Sequence, residues 1–358
     1  MCHCASGDIG CDKASLDEIN VLLNALQTPQ QAVRDAALRG LIVVVNCFPT
    51  METDQETSLH ITHRLWVARH DISEDVSKLA LKLWEMADMQ ATGALSEGVL
   101  RDIVHPVGAV REAGAVALAA LATEYQDLVA PVTLELIEIF KAKKEMTPAV
   151  RDQYDRIVKE AIDLWEGRAG VAMALTQLAP LFSRETVVTL ANFFVPGALG
   201  DRNSEVRNKM LAAAMAVVNC HGKETVNSLF PVFEKFLNTA PKHASYDCVR
   251  QSVIILMGSL AKHLDHTDPK IKPIVFKLVE ALPLHHSRSG KSSGQLSPSF
   301  CPGDQRRVPQ ARDKTHKRFS SSPNSYGEKE GCGVWARILV KGMGILALKQ
   351  LDIMNSTY

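Results

Sequence analysis

Six stretches of the chain place small or apolar residues at the same five offsets, 0, +4, +7, +8 and +11, and this recurrence restricts the fold more than any other feature. The stripes are Val33, Ala37, Gly40, Leu41 and Val44; Val76, Ala80, Leu83, Trp84 and Ala87; Val110, Gly114, Ala117, Leu118 and Leu121; Val150, Tyr154, Ile157, Val158 and Ala161; Val206, Met210, Ala213, Ala214 and Val217; and Val249, Val253, Leu256, Met257 and Leu260. At about 3.6 residues per turn the offsets fall on one helical face, so each stretch predicts an amphipathic helix. In five of the six an arginine follows the first residue: Arg34, Arg111, Arg151, Arg207 and Arg250, with Ser77 in that place in the second stripe. These arginines are expected to form a structural ladder, each lying along the stack and pairing with a carboxylate of an adjacent turn, with Asp71 and Asp201 as candidate partners.

The stripe origins lie 43, 34, 40, 56 and 43 residues apart, which brackets the roughly 40 to 47 residue period of HEAT and armadillo repeats. The long step holds a further stripe, Gly167, Val171, Ala174, Leu175 and Leu178, expected as an extra helix or a displaced partner. Companion helices fall near 15–27, opened by a Ser15/Glu18 capping box, and near 55–69, 95–104, 126–143, 184–195, 223–238 and 268–282. Each pair buries its face only by stacking on its neighbours, which predicts an all-α solenoid of about six HEAT/armadillo-like helical repeats.

Composition supports helix and sets limits. Aromatics are 6% of 358 residues, too few for a β-rich build, and the longest apolar runs are far shorter than the roughly 18 residues a membrane span needs. The first ten residues show neither the basic nor the apolar region of a secretory signal, so a cytoplasmic, reducing location is expected. The 40 Lys and Arg balance the 40 Asp and Glu overall, but residues 284–358 hold 12 of the former and 5 of the latter, leaving 28 against 35 in 1–283. That acidic body argues against direct RNA contact, because affinity for phosphate needs clustered cations. Residues 284–333 contain 10 Ser, 6 Gly and 4 Pro, a composition expected to stay disordered. The expected organisation is a disordered lead at 1–14, the solenoid at 15–283, the disordered basic segment at 284–333, and a short amphipathic C-terminal helix at 334–358.

No motif survives as a catalytic, cofactor or metal site. Gly342-Met343-Gly344 with Ala347 imitates a dinucleotide-binding turn, but only eleven residues follow, leaving no second strand. Gly290-Lys291-Ser292 imitates the end of a phosphate loop within Ser-rich coil, with His285 where the first glycine belongs. Cys2, His3, Cys4 and Cys11 lack the separated chelating pairs of zinc sites, and His60 and His63 share a helix face without a third ligand. Neither a G-x-S-x-G nor an H-E-x-x-H pattern occurs. The expectation is a protein that is not an enzyme and takes no cofactor.

Particular stretches resemble a known family. Trp165 to Leu175, Phe193-Phe194-Val195-Pro196, Asp201-Arg202-Asn203, His221 to Leu229, Pro231 to Glu234, Ser245-Tyr246-Asp247, Val249 to Ser252, Leu256 to Leu264 and Asp268-Pro269-Lys270 are similar to the large HEAT-repeat translational activator of the general-control kinase. The resemblance is dense from about 165 to 283 and looser from 10 to 164, where His63 to Val67 anchors it. It is absent from 284–333, which reads as translated intron or a variant transcript, and returns at Leu339 to Leu346 and Leu348 to Gln350.

The resemblance implies a fragment of a long cytosolic solenoid. Such proteins associate with translating, especially stalled or collided, ribosomes and enable the kinase that phosphorylates the alpha subunit of eukaryotic initiation factor two. It implies the ribosome and translation-control proteins as partners, with the kinase-contacting region outside this chain and no functional residue to assign. An unrelated HEAT adaptor, such as a transport receptor or phosphatase scaffold, is the alternative.

Overall fold

The computed structural model describes residues 14–264 apart from Lys242. A boundary between two compact units falls after Val253, and the packing below concerns the first. The Ser15 hydroxyl accepts the Glu18 N–H (3.3 Å) while the Glu18 carboxylate accepts the Ser15 N–H (2.9 Å). This reciprocal cap satisfies two donors that helix geometry leaves unpaired and opens α1 (Leu16–Ala25). Then come α2 (Gln31–Val43), α3 (Gln55–Ala68), α4 (Glu74–Met86), α5 (Leu95–Ile103), α6 (Gly108–Glu124) and α7 (Val129–Lys143). A two-stranded antiparallel ribbon follows, β1 (Val150–Arg151) and β2 (Ile157–Lys159). The described chain ends with α8 (Trp165–Leu178), α9 (Arg184–Phe193), α10 (Ser204–Thr239) and α11 (Asp247–Ala261).

The helices pack in consecutive pairs, α1 on α2, α3 on α4, α5 on α6, α7 on α8 and α9 on α10, and the second helices stack along the chain, α2 on α4, α6 on α8 and α8 on α10. The stripes lie in these seams. Val76, Ala80 and Leu83 of α4, Ala117 and Leu121 of α6, and Val206, Met210 and Ala213 of α10 are each fully buried. Burying one large apolar side chain is worth about 1.5–3 kcal/mol, so a pair left unstacked forfeits most of its stabilisation. The fold is therefore an α-solenoid. At the junction of the second and third pairs α3 packs on α6, and the Trp66 indole N–H donates to the Ala117 carbonyl (3.1 Å). Gly170 of α8 approaches closest: a Cβ there would stand 1.8 Å from the Ile103 carbonyl oxygen, so a side chain at this position would push α8 off the end of α5.

Two expectations are corrected. The stripe at Val150 is not a helix; Val150, Tyr154, Ile157 and Val158 belong to the ribbon and are 48–69% exposed. Pro148 removes a helical donor, the Asp152 carboxylate accepts the Tyr154 and Arg156 N–H groups (2.8 and 2.9 Å), and Asp155 takes a left-handed φ of 60°. Those turn-forming features outweigh the apolar spacing. Of the two readings of the Gly167 stripe, the displaced partner holds: buried throughout as α8, it is the fourth pair's second helix, in the place expected for the Val150 stripe. Val206–Val217 and the companion near 223–238 are also one continuous helix, α10, because Cys220-His221-Gly222-Lys223 carries no breaker stronger than Gly222, which costs about 1 kcal/mol in a helix. The expected helix at 268–282, the segments at 284–333 and 334–358, and residues 1–13 lie outside the described residues.

The corrected register has a direct consequence. Val206→Asp places a charge in a fully buried seam and is expected to cost on the order of 3 kcal/mol or more. Val150→Asp, on the exposed ribbon, should stay within about 0.5 kcal/mol of the parent. Urea unfolding of the two variants measures both; equal losses would restore the helical register at Val150.

Candidate functional site

The polar chemistry of the first unit concentrates in the turns joining the two helices of each pair, where the arginine at the start of the second helix turns back toward the preceding loop. Arg34 Nη1 donates to the carbonyls of Thr28 and Pro29 (both 3.0 Å), Arg111 Nη1 to those of His105 and Pro106 (both 2.7 Å), and Arg207 Nη1 to those of Asp201 and Arg202 (2.8 and 3.0 Å). The same two positions, six and five residues upstream, are used each time, so one guanidinium nitrogen ties together the turn ahead of its own helix. Arg250 does this from further away, donating to the Ala240 and Pro241 carbonyls and to the Asp247 carboxylate (3.1 Å). Arg151 does not: it lies on β1, half-exposed, and pairs with Asp155 (3.1 Å) within the ribbon.

Two arginines also reach forward into the next turn. Arg34 grips Asp71 through Nε and Nη2 (2.7 and 2.9 Å), and Asp71 Oδ1 accepts the Ser73 N–H (2.8 Å) just ahead of α4. Arg168, directly after the first residue of the Gly167 stripe, repeats this with Asp201 (2.7 and 2.9 Å), whose Oδ1 accepts the Asn203 N–H (2.9 Å) ahead of α10. Arg168 and Asp201 are fully buried. Arg168 also binds Asp163 with both terminal nitrogens (2.6 and 3.1 Å) and the Lys143 carbonyl (2.9 Å), and Arg202 closes the group on Asp163 (2.6 Å).

Charge–charge contacts set the ionisation here. Hydrogen bonds from Arg202 and then Arg168 hold the Asp163 carboxyl well below the usual carboxylate range. Burial alone would lower the Arg168 guanidinium, but the carboxylates of Asp163 and Asp201 outweigh it and raise its affinity for the proton.

Sequence reasoning missed Arg168, although the signal was present: a stripe at Gly167, an arginine directly after its first residue, and an aspartate 33 positions on. It also missed a second buried group. His63 Nε2 lies 3.0 Å from Asp102 Oδ2, and Arg64 Nη2 donates to Asp102 Oδ1 (2.8 Å), joining α3 to α5. Burial pushes the Asp102 carboxyl up, but His63 and Arg64 together pull it below its ordinary value. The His63 ring lies where a Cβ on Gly98 would stand, 2.9 Å away, so α5 can present only a glycine there. His60, named with His63 as a possible ligand pair, is only part-buried, and desolvation lowers its pKa. No group of three His, Cys, Asp or Glu among the described residues could hold a metal ion. Cys2, His3, Cys4 and Cys11, and the glycine motifs near 290 and 342, lie outside the described residues.

Arginines that close their own turns and carboxylates that receive the preceding arginine are what a stack of helix pairs needs to fix its register, and they define the chain as a HEAT-type helical-repeat solenoid. Residues 52–262 match the family described as stalled ribosome sensor GCN1, HEAT repeats, and the chain belongs to that family. It is 42% identical over 355 residues to the human stalled ribosome sensor GCN1, a match covering 99% of the chain and 13% of the relative. To the Arabidopsis thaliana protein ILITYHIA it is 29% identical over 345 residues, covering 96% and 12%. To the Saccharomyces cerevisiae eIF-2-alpha kinase activator GCN1 it is 25% identical over 353 residues, covering 95% and 13%. The chain thus spans about an eighth of the length of these relatives. The human match takes residues 284–333 within its span, a segment that the motifs by themselves had left out. Membership of this family sets aside an unrelated transport or phosphatase adaptor. No helix among the described residues is long and apolar enough to cross a membrane.

Removing one partner of a buried pair strands the other charge, so Arg168→Ala should lower stability by about 3–5 kcal/mol, whereas Arg151→Ala should stay within about 0.5 kcal/mol. Urea titration of both variants checks this; parity would deny Arg168 its place in the stack.

Acid should act through Asp163. As pH falls below 3.8, its ordinary value, the unfolded chain takes up a proton that folded Asp163 still refuses. The stabilisation is therefore full above that pH and is lost as pH drops through the lower folded value. Asp163→Asn should flatten this part of the stability–pH curve, measured by thermal unfolding between about pH 5 and 2.

Proposed function

We propose that this chain is a length of the non-catalytic scaffold in a ribosome-associated, cytoplasmic activator of the kinase that phosphorylates the alpha subunit of eukaryotic initiation factor two. The observation that carries the reading is the family match over 52–262, joined to relatives named as a stalled ribosome sensor and as an eIF-2-alpha kinase activator. In this reading the arginines at 34, 111, 168, 207 and 250 have a structural role: they hold the register of the stack so that partners elsewhere on a longer solenoid meet at fixed spacing. The partners are the ribosome and translation-control proteins, with the kinase contact lying beyond this segment.

An exchange experiment tests the reading. The matching segment of the full-length human relative is replaced by this chain, and phosphorylation of the initiation factor is measured in amino-acid-starved cells that lack the endogenous protein. The exchange should preserve the response, while an unrelated solenoid of equal length should not; loss in both exchanges would remove the assignment.

The chain by itself should co-sediment with purified ribosomes only weakly, and less as salt rises, because residues 1–283 carry 28 basic against 35 acidic side chains. Tight, salt-resistant binding would instead locate a main ribosome contact in this segment.

A further inference from the structure

The turns within helix pairs are short, 26–30 between α1 and α2, 69–73 between α3 and α4, and 104–107 between α5 and α6, yet between α7 and α8 the connection runs from 144 to 164 and forms the β1/β2 ribbon. Its base is held firmly. The Lys143 carbonyl and the Asp163 carboxylate, one on either side of the ribbon, both bind the buried guanidinium of Arg168, and Thr147 and Ile162 exchange backbone hydrogen bonds in both directions (3.0 and 3.1 Å). Its tip is fixed by the Asp152 carboxylate on the N–H groups of Tyr154 and Arg156.

Between these anchors the ribbon buries almost nothing. Every residue of both strands is exposed, and Val150, Tyr154, Ile157, Val158 and Ile162 stand 48–69% open. A lone two-stranded ribbon gains little in water, and its outer edges carry backbone groups ready to pair with another strand. Among the described residues no third strand lies along either edge. A helical stack that projects two open β-edges, lined with β-branched and aromatic side chains on an anchored base, has the form of an unfinished sheet.

We propose that the 147–162 ribbon is a docking site for an extended segment of a partner protein, which adds to the β2 edge as a third strand beside Ile157 and Val158. The open edge determines the kind of occupant, since only an extended backbone can pair with it, and the side chains of that strand would alternate between the face of Val150 and Lys159 and the face of Arg151 and Ile157. Charge favours protein over nucleic acid. Arg151, Arg156 and Lys159 are matched in number by Asp152, Asp155 and Glu160, with Arg151 paired to Asp155 and Arg156 stacked 5.6 Å over Tyr154, so the ribbon offers phosphates no unmatched cationic cluster.

The test uses the full chain and a displayed library of random dodecapeptides, counter-selected against the Val158→Asp variant; an enriched sequence is then synthesised as the probe. Enriched peptides should be rich in β-branched or aromatic residues, and Val158→Asp and Tyr154→Ser should each weaken binding by about tenfold or more without moving the unfolding midpoint. Backbone N-methylation should abolish binding at every second peptide position and spare the positions between, as pairing through one edge of a strand requires. Four outcomes would overturn the proposal: no enriched sequence, binding indifferent to N-methylation, binding of polyuridine RNA that is lost in Arg156→Ala, or self-association in sedimentation velocity that is lost in Val158→Asp.

Discussion

A pair of short helices has more apolar surface than it can cover by itself, and the stacking of one pair on the next is the constraint from which the rest of this structure follows. The stripes at +4, +7, +8 and +11 are buried because a neighbouring pair lies over them; Ala80, Ala117, Ala174 and Ala213 allow the helices to close, and Gly170 lets α8 come within backbone contact of α5. Stability in such an array is a sum of pairs and junctions, so a change in one seam acts first on its neighbours.

The turns convert stacking into register. An aspartate six residues ahead of one pair's arginine position can receive the arginine of the pair before it, as Asp71 receives Arg34 and Asp201 receives Arg168. At the second junction the corresponding residues are Ser77 and His105. There the contact changes character: α3 with Trp66 packs against α6, and the buried His63, Arg64 and Asp102 group joins α3 to α5. A desolvated guanidinium needs a matched acceptor in a fixed place, so where the donor is absent the junction is held by different chemistry. Arg168 does the most, since one guanidinium joins α8, the turn before α10 and both ends of the ribbon.

That last link connects architecture to recognition. The ribbon interrupts the solenoid where the strongest buried ion network lies beneath it, so an exposed feature rests on a rigid foundation, the arrangement expected of a loop that contacts other molecules. The family supplies the setting, a HEAT-repeat segment about an eighth as long as its relatives, and the acidic balance of residues 1–283 directs attention to protein contacts before RNA contacts.

The solenoid and five of its six stripes were legible in the sequence because apolar periodicity reports which face of a helix is buried, whatever covers it. The capping box at Ser15 was legible because three residues of spacing bring its groups together, whereas Asp71 was legible only as one candidate acceptor for the arginines, and the fold chose Arg34 as its donor. The ribbon was not. Val150, Tyr154, Ile157, Val158 and Ala161 satisfy the helical template as well as the true stripes do, and Pro148, Asp152 and Asp155 outweigh it only because no neighbouring pair buries that face. Nor could spacing show that α10 runs unbroken through Gly222, or that Arg168 would meet Asp163, Asp201 and Arg202 at one buried point. Sequence determined which surfaces of this chain must be covered. Which partners cover them was decided by tertiary structure, because burial and ion pairing are energies of groups distant in the chain, and those energies exist only once the stack has formed.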